Sequence, residues 1–305
     1  MNLTNFTKIF SLSLILIVFS FLINNYLTFA GEWPGPLSIT EEINFFSATQ
    51  TGLYFLSILI PVIYFYFQDL SISDLADKLE SFNDYIIRFA FWSVFIIGIV
   101  DAIISFLIIE GFLEQIAGKS WNIKFSNNSF RAPYIHFPLL FISLFLALIY
   151  KNLNFFWLAF LVVIAEFQIV ILRFVFSYEQ TLMSDLVRFW YGSLFLFASY
   201  YTLIREGHVR IDVLYANLSK KNKAKVNLFG SLILGIPLCL TIFFRGMSCK
   251  QCVLNQPIMN FETSQSTQGM NIKYLMAGFL IIFALTMLIQ FTVYILRSYK
   301  IIKES

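Results

Sequence analysis

Charge is what this sequence most lacks. Only 13% of its 305 residues are charged, about half the share of an ordinary soluble domain. The deficit comes from long apolar runs, which excludes a soluble globular protein and makes the chain an integral membrane protein. The net charge of +3 is too small to argue for nucleic acid, so what matters is where the basic residues sit. Three Cys and two His leave little to build a metal site. Cys239 lies inside an apolar run, and Cys249 and Cys252 form a Cys-Lys-Gln-Cys pair. A zinc site needs about four ligands, and no third or fourth is near that pair. A local disulfide or two idle thiols is the expectation, with no metal, cofactor or catalytic group implied. Proline is sparse too. Secondary-transporter sites use paired broken helices in inverted repeats, whereas Pro61, Pro138 and Pro237 are isolated and no second half mirrors the first. The chain is therefore not expected to conduct a substrate by itself.

What the sequence has is hydrophobic length. Eight apolar segments can be read, at Ile9–Phe29, Ala48–Phe67, Arg88–Ile109, Tyr134–Tyr150, Phe155–Phe176, Leu186–Ile204, Val226–Phe244 and Ile272–Leu296. Most approach the roughly 20 residues of a spanning helix. In lipid such segments must be helices, because each backbone polar group has to be satisfied within its own segment. The expected fold is thus an all-α integral membrane protein of about eight transmembrane helices. The first segment has two readings. Lys8, the apolar run and "TFAGE" resemble a signal peptide cleaved after Ala30, but the run is long enough to span, which favours an uncleaved first helix. The 37 Phe are in part a compositional bias.

Orientation follows from Lys and Arg. Arg205, Arg210, Lys220, Lys221, Lys223 and Lys225 lie between segments six and seven, and Arg297, Lys300 and Lys303 close the chain. Both regions belong in the cytoplasm, and an even helix count places both termini there. One loop dissents. Gln68 to Tyr85 should also be cytoplasmic yet is acidic; acidic residues weigh little in this rule. Leu70, Leu75, Leu79 and Phe82 recur there at helical spacing, which suggests an interfacial helix.

"YTLIREGHVRIDVLY", Tyr201 to Tyr215, is the densest polar cluster beside an apolar run. Gly207 suits the left-handed residue that stops a helix. Arg205 and Arg210 fall at headgroup level, and the following residues read as an interfacial helix with a basic end. His208 has no second His, Cys or paired carboxylate beside it. The plain physical reading is a topological anchor and loop staple.

The wider stretch Leu172 to Leu240 resembles the small membrane subunit (DctQ-type) of tripartite ATP-independent periplasmic (TRAP) transporters. The resemblance rests on an ordered series: Arg173-Phe174-Val175-Phe176 ending one helix, an acidic residue opening the next, then His208-Val209-Arg210-Ile211-Asp212, Leu218-Ser219-Lys220-Lys221, and a Gly230-to-Pro237 helix. The acidic residue is Asp185, where the family usually has Glu. The resemblance covers roughly Asn154 to Leu296; the last helix, with Gln290, fits more loosely.

The resemblance implies a bacterial inner-membrane, multi-pass subunit of a sodium-coupled symporter, with no enzymatic activity. It would scaffold a large permease subunit that carries an organic acid or related solute, delivered by a periplasmic substrate-binding protein. Its other partner is the lipid bilayer. It further implies two regions: 151–305, a small-permease-like four-helix membrane domain, and 1–150, an extra four-helix transmembrane region acting as an accessory scaffold. Arg173, Asp185, His208, Arg210, Asp212 and Glu166 are the structural or partner-docking candidates.

Two intramembrane charges stand outside the motif. Asp101 lies in the third segment and Glu166 near the middle of the fifth, and ionisable groups at such depth are functional or paired. Glu166 and Arg173 share one helix face, about 10 Å apart, too far to bond directly. A buried polar network holding helices or a partner is the expectation for Glu166. Asp101 is either glue between helices or protonated. Ser231 and Gly235 form a small-residue pair that permits close helix packing. The rival readings are a membrane enzyme using His136, His208 and carboxylates, and a stand-alone assembly protein. The topology opposes the enzyme, since it puts His136 and His208 on opposite sides.

Overall fold

The structure is a computed structural model. It describes residues 3–41, 43–151, 156–179, 181–204, 215–263 and 269–304. These residues form helices, with no strand among them. Eight long helices fall where the apolar segments predict: α1 Leu3–Phe29, α2 Phe45–Phe67, α3 Ile72–Ile109, α4 Asn128–Ile149, α5 Phe156–Val175, α6 Thr181–Ile204, α7 Lys220–Met247 and α8 Lys273–Glu304. Seven are long and apolar enough to cross a membrane; α6 is of similar length but more polar. Phe112–Ala117, Lys119–Ser126 and Asn255–Met259 are short helices between them.

Contacts group the chain into two units, each drawing on both halves of the sequence. One comprises Met1–Asn83, His208–Cys252 and Ala284–Ser305; the other comprises Asp84–Gly207 and Val253–Phe283.

In the first unit α1 and α2 are joined by polar groups spaced along their seam. Ser20 Oγ and Ser57 Oγ lie 2.6 Å apart, and Asn24 Nδ2 donates to the Gln50 carbonyl at 3.0 Å. Gln50 donates to Thr28 Oγ1 and accepts from the Gly35 amide, both at 2.9 Å. Small and amide side chains suit such a seam, because lipid offers no competing water and no hydrophobic drive between helices. A capping box between Asn44 and Ser47 starts α2 three residues before the first residue of its apolar segment.

The stretch expected as a separate interfacial helix is instead continuous with α3. Nothing between Ile72 and Ile97 breaks the helix, and Ser71 Oγ accepts from the Asp74 amide at its start. Ile72, Leu75, Ala76 and Leu79 are buried, and Ile86, Ile87, Ala90, Val94 and Ile97 continue the stripe. At 38 residues the helix is about 57 Å long, well beyond the ~30 Å of hydrocarbon. Part of it must therefore extend beyond the bilayer core, and the charged first turns, with Asp74, Asp77, Lys78 and Glu80, are the part expected there.

Two helices contain a π turn, and each turn sits just before a proline. In α4 the π turn is Ala132–His136, with the Phe137 amide bonded to the Ala132 carbonyl; in α7 it is Ser231–Gly235, with Ile236 bonded to Ser231. Pro138 and Pro237 follow one residue later. Proline lacks the N–H, and its ring crowds the carbonyl four residues back. A wider preceding turn relieves that clash and lets the helix continue. In the first unit the second turn also presents Gly235 to a neighbour: a Cβ there would come within 2.7 Å of the Phe291 ring. The close approach that the small pair Ser231 and Gly235 permits is present at Gly235.

The core of the second unit is built from Ile87, Phe91, Val94 and Ile97 of α3, Leu158 and Ala165 of α5, Leu186, Phe189, Trp190, Phe197 and Tyr200 of α6, and Phe279 of α8. Trp190 Nε1 donates to the Val94 carbonyl at 3.3 Å over Gly98, where any Cβ would lie 2.5 Å from that nitrogen. The indole thus satisfies its one donor within the apolar interior.

Candidate functional site

The second unit holds a buried polar network around Asp101. Its side chain, fully buried, accepts from Arg131 Nη1 at 2.7 Å and from His136 Nε2 at 3.1 Å on Oδ1, while Oδ2 accepts from the Asn271 amide at 2.8 Å. Arg131 also donates to Ser105 Oγ at 3.0 Å and to the Phe125 carbonyl at 2.6 Å. His136 is equally buried, and its Nδ1 lies 2.7 Å from Tyr274 Oη. The carboxylate only accepts, so Nε2 carries the ring proton toward it, leaving Nδ1 to accept from the tyrosine hydroxyl.

The π turn in α4 makes this arrangement feasible. Arg131 and His136 are five residues apart, which on an α-helix would turn them about 140° from each other. The i to i+5 turn brings them onto one face, toward Asp101. A second acid works in parallel: Asp185, buried on α6, accepts from the Met270 amide at 3.0 Å. Asp101 and Asp185 together fix consecutive backbone amides at the entry to α8.

The network does structural work. The Arg131 charge balances Asp101, and both nitrogens of His136 are occupied. Among the described residues no group of His, Cys, Asp and Glu is placed to hold a metal ion. Asp101 thus links α3 to α4 and to the entry of α8, the first of the two roles its depth suggested. Arg131 carries no sequence signal that would have joined it to Asp101. His136 does carry one, as a histidine beside an apolar run, but its partner was not readable.

The expected site residues do not converge. Asp185 sits in the second-unit interior as described. Arg173 is exposed at the end of α5, 4.0 Å from Glu179. Glu166 is exposed on the flank of α5, beside the stripe carrying Leu158 and Ala165; of the two expectations for it, a network holding helices of this chain is not what the structure has, which leaves the partner-facing alternative. His208, Arg210 and Asp212, with Arg205, lie outside the described residues. Beyond them Ser219 caps the basic start of α7, accepting from the Asn222 amide. Cys249 and Cys252 are joined as a disulfide, and Cys239 is free and buried.

Residues 159–300 match the family of tripartite ATP-independent periplasmic transporters, DctQ component. This segment, a little under half of the chain, is similar to the DctQ component. No match was found among curated proteins or among solved structures. The DctQ segment takes in nearly all of α5, then α6, α7 and most of α8, close to the bounds the motif series suggested. The family is one of small membrane subunits of TRAP transporters, a transporter component and not an enzyme family. Within the second unit, Asp185, Asn271 and Tyr274 belong to the DctQ segment, whereas Asp101, Arg131 and His136 precede it. Within this unit α3 and α4 are therefore tied to residues of the matched segment.

Proposed function

We propose that this chain is the small membrane subunit of a sodium-coupled TRAP transporter in a bacterial inner membrane. It scaffolds the large permease subunit for uptake of an organic acid or related solute, which a periplasmic binding protein delivers. The observation that carries the reading is the DctQ match across 159–300. Support comes from the helices themselves. α4 and α7 continue through their proline sites, so they offer no half-helix ends for a substrate. The α5 surface, only 11% buried in its apolar window against 67% for α8, leaves a face for a membrane partner. Residues 1–150 serve as an accessory scaffold to the small-permease-like region 151–305. Both termini are cytoplasmic, which puts the Cys249–Cys252 loop on the oxidising side, where a disulfide persists.

The test is co-purification of the tagged chain with a large multi-spanning permease, followed by reconstitution. The isolated chain in liposomes is expected to move no solute, and the full complex to take up an organic acid with sodium. Sodium-driven uptake by the isolated chain would overturn the scaffold role.

A further inference from the structure

Glu166 sits where a carboxylate is least tolerated. α5 has 20 residues, about 30 Å, which is the hydrocarbon thickness itself. Glu166 is about 15 Å from its first residue and about 14 Å from its last, so its short side chain cannot reach either surface. It is exposed, and among the described residues none bonds to it.

The residues around it are not a random lipid-facing surface. Ala159, Val163, Glu166, Val170 and Arg173 follow one another at spacings of four, three, four and three. That is the seam along which one helix accepts another. Four of the five are exposed, with Val163 at 64% and Val170 at 49%. None of the apolar members is aromatic, and Ala159 is small enough to let a second backbone come close at that end. Phe160, Phe167 and Phe174, all exposed, border the seam at seven-residue intervals.

We infer that the Ala159–Arg173 seam of α5 docks a transmembrane helix of the large membrane subunit, and that Glu166 meets a Lys, Arg or His side chain of that helix at mid-membrane depth. Charge decides the occupant. A lone acid in hydrocarbon needs a donor or a cation, and a second copy of this chain would oppose it with another acid. Lipid tails supply neither. The inference rests on the proposed small-subunit role, and it adds the face and the contact.

The experiment uses the full chain co-expressed with the large subunit. Glu166→Lys and Val163→Phe are each expected to lower the recovered large subunit at least tenfold. Glu166→Gln, which keeps hydrogen bonding, is expected to lower it less. Each variant is also run alone by size exclusion and thermal unfolding, so that loss of fold is separated from loss of docking. Cysteines at Val163 and Val170, in a background without native cysteines, are expected to cross-link to the large subunit. That arm decides the matter if Glu166→Lys does not fold. Undiminished recovery with folded Glu166→Lys and Val163→Phe overturns the inference, as does cross-linking between copies of this chain. If the unaltered chain recovers no large subunit, the small-subunit role itself fails and the docking assignment falls with it.

Discussion

Arg297 Nη2 on α8 donates to Glu80 Oε2 on α3 at 2.5 Å, within the first unit. The same guanidinium reaches Asp77 at 2.9 Å, and Lys300 donates to Ser73 Oγ at 2.6 Å. Lys8 approaches Asp69 at 3.4 Å. The acidic stretch that contradicts the charge rule in sequence is thus the counter-charge of the basic chain ends. It belongs on their side of the membrane because it is paired with them.

Arg297→Ala is expected to lower stability by about 1 kcal/mol, since the pair is only partly shielded from water. Exchanging the two charges, Glu80→Arg with Arg297→Glu, is expected to recover part of the loss. Thermal unfolding of the four proteins in detergent gives the coupling; additive effects would show that the contact contributes nothing.

The Asp101 network behaves differently because it is buried. Asp101→Leu or Arg131→Met alone leaves an uncompensated interior charge and is expected to cost about 3–5 kcal/mol. The double variant is expected to lie closer to the unaltered protein than either single one. Unfolding midpoints test this, and a double variant as damaged as the sum of the singles would refute the pairing.

Gly235→Leu drives a side chain into the Phe291 ring and is expected to destabilise by roughly 1–3 kcal/mol. Phe291→Ala in the same chain opens space and is expected to restore part of it. If Gly235→Leu leaves the unfolding midpoint unchanged, the two helices do not pack as described.

Topology is tested by labelling with a membrane-impermeant thiol reagent in a cysteine-free background. Ser219→Cys is expected to react only after the membrane is opened, and Thr263→Cys in intact cells. The reverse pattern would invert the protein. In the native sequence the Cys249–Cys252 pair is expected to be isolated oxidised, read by mass after alkylation.

The sequence alone determined the class and the helices. All eight apolar segments became helices because lipid permits little else, and the ordered motifs from Arg173 to Pro237 were sufficient to identify the DctQ segment. The Cys-Lys-Gln-Cys spacing left a disulfide and two idle thiols both open, and the structure has the disulfide; the small pair Ser231 and Gly235 permitted the close approach that the structure has at Gly235. What only the tertiary structure decided is who meets whom. Asp101 and Arg131 are thirty residues apart and meet through the packing of α3 against α4, and the π turn before Pro138 brings His136 onto the same face. The α3 extension looked like a surface helix because its apolar face was legible and its cover was not. For Glu166, depth along the helix suggested a polar network holding helices or a partner, but depth along the helix and direction around it are independent, and the structure has it exposed. Periodicity places a residue at the middle of a span; only packing shows whether it faces the core or the membrane.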